Sequence, residues 1–148
     1  MQVNAFMTQP VDTLPPDATV QEAAQRMRTL DVGFLPTCDG ERVVGLVTDR
    51  DIAIRAAADD RPARQTHLRE IMTPEIIYCY EDQDAEDAAR LMSDRQVRRL
   101  LVLNRRKRLV GVVSLGDLAV DTKDDRLSGR VLERVSEPSH PRRTTIDG

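Results

Sequence analysis

The sequence predicts an α+β fold made of two β-α-β-β-α repeats, packed face to face about a pseudo-twofold axis and followed by a C-terminal helix. Three observations predict it: the chain repeats its pattern at a nearly fixed offset, each copy contains an amphipathic helical stretch, and each copy ends in two apolar, strand-like runs. The 148 residues are 40% hydrophobic and 32% charged, as is typical of a globular protein.

The internal repeat has an offset of 65 residues in its first part, where residues 6–8 (FMT) correspond to residues 71–73 (IMT). After one extra residue in a later turn the offset becomes 66, and GLVTDRD at 45–51 corresponds to GVVSLGD at 111–117. Because the two copies stay in register over several elements, the repeat predicts a duplicated structural unit.

Each repeat begins with a short strand and an amphipathic helix. The strands are predicted at Val11–Leu14 and Ile76–Tyr80, which contain β-branched and aromatic residues and end at turn-forming or acidic residues. The helices follow directly, with Thr19 and Asp84 at positions suited to N-caps.

Each repeat then continues with a hairpin and a second helix. The nearly continuous apolarity of the hairpin strands is typical of strands covered on both faces. We predict these strands at Val32–Thr37, Val43–Thr48, Arg99–Leu103 and Leu109–Ser114, and the helices from about Asp49 to Ala58 and from about Leu115 to Val120.

The predicted boundaries are repeat 1 at 3–58, a polar linker at 59–66 and repeat 2 at 67–122. A C-terminal helix is predicted at 123–136, with an apolar stripe of Leu127, Val131, Leu132 and Val135, and a disordered tail at 137–148. A single repeat buries little apolar surface, so we expect the two repeats to share one core and to form two related clefts.

Composition excludes several classes of protein. Apolar stretches such as 109–113 are far shorter than the roughly 20 residues that span a bilayer, and no secretory signal is visible, so we expect a cytoplasmic protein. Cys38 and Cys79 lack CxxC spacing and are predicted to be buried, reduced thiols. With a net charge of −3 and 3% aromatic residues, we expect the basic run at 105–108 to be a solvated hairpin turn.

A hydroxyl and an acid recur where the last strand of each repeat meets its helix, as Thr48 with Asp51 and as Ser114 with Asp117. At such a place backbone N–H groups point outward, and ligands with negative charge are favoured. The alternative interpretation is that these residues only cap the helices.

The repeat starts FMTQPV and IMTPEI, the hairpin starts DVGFLP and QVRRLL, and the hairpin ends GLVTDRD and GVVSLGD resemble tandem CBS domains, the Bateman module, of the stand-alone bacterial type. The resemblance covers about residues 3–120. It implies a non-catalytic regulatory or signal-transduction module that needs no cofactor. Such a module binds AMP, ADP, ATP, NAD or S-adenosylmethionine between its repeats, and the resemblance further implies a homodimer.

The resemblance also implies two composite sites. The site centred on Ser114 and Asp117 adds Val112, Arg99, Arg98, Thr8, Asp12, Val32 and Gly33. The site centred on Thr48 and Asp51 adds Leu46, Gly33, Phe34, Thr73, Ile77, Val97 and Arg98, with Arg50 and Arg55 close by. Arg98 and Arg99 are able to neutralise phosphate, although surface salt bridges are an open alternative for them.

No arrangement of residues typical of a catalytic site is visible in the sequence, and we expect His67 and His140 to be solvated surface residues. We therefore expect a ligand sensor with an unknown downstream partner. Two alternatives remain open: a structural or interaction module with empty clefts, and a nucleic-acid binder that uses Arg98, Arg99 and the basic run.

Overall fold

The computed structural model describes residues 1–121, so the helix predicted at 123–136 and the tail predicted at 137–148 lie outside the described residues. The chain divides into two compact units. The first unit contains Met1–Val11 together with the described residues from Ile77 onward, and the second contains Asp12–Ile76. The first unit thus contains the opening segment of repeat 1 and most of repeat 2. The second unit contains most of repeat 1 and the opening segment of repeat 2.

The second unit is built on the antiparallel strands β1 (Phe34–Asp39) and β2 (Arg42–Thr48). Helix α1 (Val20–Leu30) precedes them. Three short helical pieces follow the strands: α2 (Asp49–Asp51), a π-helical turn (Ile52–Ala57) and α3 (Leu68–Ile71).

The first unit contains a three-stranded sheet in the order β3-β4-β5, in which β3 runs parallel to β4 and β4 antiparallel to β5. Its elements are a 3₁₀ turn (Val3–Ala5), β3 (Tyr78–Tyr80), α4 (Ala85–Arg95), β4 (Arg99–Leu103), β5 (Leu109–Ser114) and α5 (Leu115–Asp121). None of the helices within residues 1–121 has the length and apolarity to cross a membrane.

The two hairpins and the two amphipathic helices form as predicted, but the strand predicted at Val32–Thr37 lies at Phe34–Asp39. Strands β4 and β5 have the predicted bounds. Thr19 caps α1, since its Oγ1 accepts a hydrogen bond of 3.2 Å from the backbone N–H of Glu22. Asp84 occupies the same position before α4, but its side chain makes no capping bond.

The strand predicted at Val11–Leu14 is wrong. Within the described residues, Leu14 pairs with β1 through an isolated parallel bridge to Thr37, and no strand forms around it. Pro15 and Pro16 follow immediately, and proline has no N–H to donate to a neighbouring strand. The corresponding stretch of repeat 2, Ile76–Tyr80, contains no proline and is not followed by one. It forms β3, which is shorter than predicted.

The helix predicted from Asp49 to Ala58 forms with a different hydrogen-bonding pattern. It changes after Asp51 to a π-helical turn, in which the N–H of Ala58 donates to the carbonyl of Ala53 at 2.9 Å. The corresponding helix α5 is an α-helix throughout. Hydrophobic periodicity predicts a helix but gives no sign of a local change of pitch.

Each unit encloses a hydrophobic core to which both repeats contribute, since Val3 and Phe6 belong to the core of the first unit and Leu68 and Ile71 to that of the second. The core of the first unit includes Met92 and Leu100, and the core of the second includes Leu35 and Leu68, all fully buried or nearly so. The helices and strands of one unit therefore cover each other's apolar faces.

The two cysteines are free and buried, as predicted. Burial raises the pKa of both thiols, and it raises that of Cys79 to about 12. A thiol with a raised pKa stays protonated near neutral pH and is a poor nucleophile. Both residues therefore serve as small apolar core residues.

The basic run at 105–108 is a solvated hairpin turn, as predicted. Arg105 forms an ion pair of 2.9 Å with Asp82 and lies 4.2 Å above the ring of Tyr80. This pairing lowers the pKa of the Asp82 carboxyl.

Two glycines allow a methionine–threonine segment to lie directly against the last strand of each unit. A Cβ atom on Gly111 would lie 2.6 Å from Sδ of Met7 and 3.1 Å from the carbonyl oxygen of Thr8. A Cβ atom on Gly45 would meet Sδ of Met72 at 2.7 Å. Only glycine fits these positions without movement of the segment, so the two glycines fix the edge of each unit.

We expect Gly111→Ala to lower the free energy of unfolding by about 1–3 kcal/mol, because the added methyl group displaces the side chain of Met7 and crowds the carbonyl oxygen of Thr8. Urea denaturation followed by circular dichroism measures this change. Gly116→Ala is the matched control: its Cβ would lie 3.6 Å from the nearest atom, Oγ of Ser114, so stability should stay the same or rise. Equal losses in the two variants would contradict the close approach at Gly111.

Candidate functional site

The same arrangement occurs in both units where the last strand meets the following helix. In the second unit β2 ends at Thr48 and α2 begins at Asp49, and in the first unit β5 ends at Ser114 and α5 begins at Leu115. The sequence predicted its candidate hydroxyl and acid at these two places, and the structure brings each pair into contact.

Each pair forms a reciprocal capping box. The N–H of Asp51 donates to Oγ1 of Thr48 at 3.0 Å, and the N–H of Thr48 donates to Oδ2 of Asp51 at 3.0 Å. The equivalent bonds between Ser114 and Asp117 are 3.1 and 2.9 Å. Both pairs therefore cap their helices. Capping does not exclude ligand binding, because a carboxylate accepts about four hydrogen bonds and the cap uses only Oδ2.

Burial differs between the two pairs. Thr48 and Asp51 are each 8% exposed, whereas Ser114 and Asp117 are half-buried. A carboxylate that is removed from water needs compensating partners. Asp51 therefore depends more on its protein neighbours than Asp117 does.

Arg55 is a charged neighbour of Asp51, with 3.8 Å between its Nε and Oδ1 of the carboxylate. Its Nη1 also donates to the carbonyls of Ile71 at 3.2 Å and Met72 at 3.5 Å. The guanidinium thus connects the helix that carries Asp51 with the segment that leads to Thr73. The sequence placed Arg55 near this site, but it did not predict the contacts with two carbonyls that lie far away in the chain.

The neighbouring strand supplies further predicted residues. Arg99 lies directly opposite Ser114, and Phe34 lies directly opposite Thr48. The carbonyl of Arg98 accepts a bond of 2.8 Å from the first N–H of α5.

In the second unit the carbonyl of Gly33 accepts the matching bond of 2.9 Å from the first N–H of α2. The predicted positions at the hairpin starts therefore lie beside the capping boxes of their own units. Arg50, also predicted at this site, is exposed.

The methionine–threonine segments complete the arrangement. Thr8 exchanges two backbone hydrogen bonds of 2.8 and 3.1 Å with Val112. Thr73 does the same with Leu46 at 2.9 and 2.8 Å. Each threonine therefore pairs with the strand that ends in the capping box of its own unit, as the site predictions require.

The remaining predicted residues belong to the other compact unit, and their participation stays a prediction. For the Asp117 site these are Asp12, Val32 and Gly33, and for the Asp51 site they are Ile77, Val97 and Arg98. Within its own unit Asp12 forms an ion pair of 3.1 Å with Arg26, and Val97 is fully buried.

His67 lies at the surface, as predicted, and it also contacts the protein. It is half-buried at the N-cap position of α3, and its Nδ1 lies 2.8 Å from the carbonyl oxygen of Asp17. The backbone N–H of His67 donates to Oε2 of Glu70 at 2.6 Å, which lowers the pKa of that carboxyl. The helix that begins directly after His67 explains its engagement. His140 lies outside the described residues.

Residues 1–121 contain no group of three histidine, cysteine, aspartate or glutamate side chains that could hold an ion. Each candidate site offers a carboxylate and a hydroxyl for hydrogen bonding, with an arginine close by.

Comparison with known proteins gives a family model described as "CBS domain", which matches residues 3–57 and 68–121. A curated relative, the CBS domain-containing protein YhcV of Bacillus subtilis strain 168, is 39% identical over 134 residues. That match covers 90% of this chain and 94% of YhcV.

Two solved structures are also similar. The CBS domain protein PAE2072 from Pyrobaculum aerophilum, complexed with AMP, has a TM-score of 0.71 and 25% identity, covering 92% of this chain and 99% of that one. The CBS domain pair of protein MJ0100, in complex with 5′-methylthioadenosine and S-adenosyl-L-methionine, has a TM-score of 0.70 and 26% identity. It covers 84% of this chain and 98% of that one.

The capping geometry predicts that Asp117→Ala lowers the free energy of unfolding by about 1 kcal/mol, because the N–H of Ser114 loses its acceptor. In Asp117→Asn the amide oxygen still accepts that bond, so the loss should be clearly smaller. Equilibrium urea denaturation compares the two variants with the wild type. If both lose the same stability, the side-chain half of the capping box contributes nothing.

Proposed function

Because the chain belongs to the CBS domain family and contains two such domains in tandem, we propose that it is a regulatory module that senses an adenosine-containing ligand. The candidates are AMP, ADP, ATP, NAD and S-adenosylmethionine. The observation that carries the proposal is the duplicated acid–hydroxyl pair, in which the capping box uses only one carboxylate oxygen. The AMP, 5′-methylthioadenosine and S-adenosylmethionine held by two structural neighbours support this ligand class.

The carboxylates of Asp51 and Asp117 are proposed to bind the ribose. Neighbouring hydroxyls at ribose C2 and C3 donate to one carboxylate, and each hydrogen bond to a charged group contributes about 1.5–3 kcal/mol. Thr48 and Ser114 lie one helical turn before these acids and supply a second oxygen to the same ligand. Arg98 and Arg99 are proposed to neutralise phosphate at the Asp117 site.

We infer that the module is not an enzyme and needs no cofactor, since its matched family model is that of a CBS domain and YhcV is matched over nearly its whole length. Ligand binding then acts by favouring one conformation or one association state over another. Two free, buried thiols support a cytoplasmic location.

A structural or interaction module without ligand is the second candidate function. The capping boxes favour it, because they explain both aspartates as elements of local structure. A nucleic-acid binder has less support, since Arg105 of the basic run is paired with Asp82 and stacked on Tyr80.

Calorimetry with AMP, ATP, NAD and S-adenosylmethionine distinguishes these functions. We expect at least one ligand to bind, and Asp51→Asn and Asp117→Asn each to weaken binding at one site by about 10- to 100-fold. Asp94→Asn removes an exposed carboxylate from α4 and is the control that should bind like the wild type. A thermal shift at 100 times the dissociation constant should reflect about 2.7 kcal/mol of stabilisation.

Two results would contradict this proposal at different levels. If the wild type binds none of the four ligands, the sensing function is wrong and the interaction module is favoured. If the wild type binds but both asparagine variants bind equally well, the function stands and the ribose assignment is wrong.

A homodimer is the proposed assembly. Ile54 on the π-helical turn is 55% exposed, and Leu30 and Val32 are also exposed, which suits burial in an interface. Light scattering should give about twice the chain mass of 16.7 kDa. Ile54→Glu should shift the protein to monomer, whereas Ala53→Glu on an exposed neighbouring position should not. A monomeric wild type at micromolar concentration would rule the dimer out.

A further inference from the structure

The two capping boxes are alike, but their charged surroundings differ at one position. Four residues after Asp51 the chain has Arg55, and at the corresponding position after Asp117 it has Asp121. The repeats therefore differ in sequence at this position, with a basic residue in one and an acidic residue in the other. Arg55 is thus a feature of the Asp51 motif alone.

Arg55 is held in place by groups other than the carboxylate. Its Nη1 donates to the carbonyls of Ile71 and Met72, at 3.2 and 3.5 Å. These bonds connect it to the segment that pairs with Leu46 through Thr73. The guanidinium is therefore a positioned charge rather than a freely moving surface group.

The distance between Arg55 and Asp51 determines how the arginine acts. At 3.8 Å, Nε is too far from Oδ1 to form a hydrogen bond. The lone pairs of Oδ1 are thus not consumed by Arg55, and a ribose hydroxyl is able to donate to them. The positive charge nevertheless offsets the negative field of a carboxylate that is only 8% exposed.

A negatively charged group on the ligand responds to this offset, and a neutral nucleoside does not. A phosphate that approaches an unneutralised buried carboxylate is repelled, whereas beside Asp51 the arginine cancels that repulsion. The adjacent Asp49 and Arg50 are both exposed and carry opposite charges, so they cancel each other. Because Arg98 and Arg99 provide separate cations in the first unit, the reasoning applies to the Asp51 site alone.

We propose that Arg55 is a specificity-determining residue of the Asp51 site, which makes this site prefer adenosine ligands that carry a 5′ phosphate over those that lack one. The inference rests on the proposed function, since it requires that the ribose of an adenosine ligand binds Asp51. It adds the ligand class that this site selects and the residue that selects it.

The test compares AMP with adenosine, which share the same base and ribose and differ only in the phosphate. Both affinities are measured by calorimetry on the full chain carrying Asp117→Asn, so that the Asp51 site dominates the signal. Adding Arg55→Met should lower the ratio of AMP affinity to adenosine affinity by about tenfold at low salt, with a smaller change at high salt. Arg55→Lys retains the charge and should retain most of the ratio.

Arg28→Met is the matched control, because it removes the same charge from an exposed position on α1 and should leave the ratio unchanged. An unchanged ratio of AMP affinity to adenosine affinity in Arg55→Met overturns the inference. If the ratio is unchanged because both affinities fall equally, Arg55 only supports the fold. If Arg55→Met lowers the ratio of AMP affinity to adenosine affinity as expected but Arg28→Met lowers it equally, the effect comes from net charge and the inference is also wrong.

Failure of this inference is distinguishable from failure of the proposed function. A wild-type chain that binds neither AMP nor adenosine refutes both. A wild-type chain that binds both ligands, with a ratio that does not depend on residue 55, refutes the role of Arg55 and leaves the sensing function intact.

Discussion

The close backbone approach at Gly45 and Gly111 is the constraint on which the rest of each unit depends. The absence of a side chain lets a methionine–threonine segment lie against the last strand, where Thr8 pairs with Val112 and Thr73 pairs with Leu46. This pairing decides which stretches of chain form a unit, and it places a threonine on the strand that ends in the capping box. A substitution at either glycine therefore affects the edge of the sheet and the candidate site together.

The duplicated motif gives the two sites the same backbone geometry, and the residues around it make the sites chemically different. Both acids bind their own strand ends in the same way, with hydrogen bonds of 2.9 to 3.1 Å. Their neighbours are not alike: Phe34 opposes Thr48, Arg99 opposes Ser114, and Arg55 has no basic counterpart after Asp117. Two sites of common geometry are thus able to differ in the ligands that they accept, because charge and apolarity vary independently of the cap.

Much of this architecture could be predicted from the sequence, because a repeat in register makes each copy a check on the other. The sequence repeat correctly predicted the bounds of β4 and β5 and the positions of the two hydroxyl–acid pairs. The prediction failed at Val11–Leu14, where apolar residues suggested a strand and the prolines that follow prevented one. The π-helical turn and the contacts of Arg55 with distant carbonyls were out of reach, since neither pitch changes nor long-range backbone pairing leave a local pattern in the residues.

The exchange of opening segments between repeats has a consequence for how the chain folds during synthesis. Residues 12–76 are continuous, so this unit has all of its core once Ile76 has left the ribosome. The other unit needs both ends of the described chain, and the apolar side chains of Val3 and Phe6 belong to its core. Val3 and Phe6 are therefore synthesised before residues 12–76 but reach their native contacts only after β5 has been synthesised.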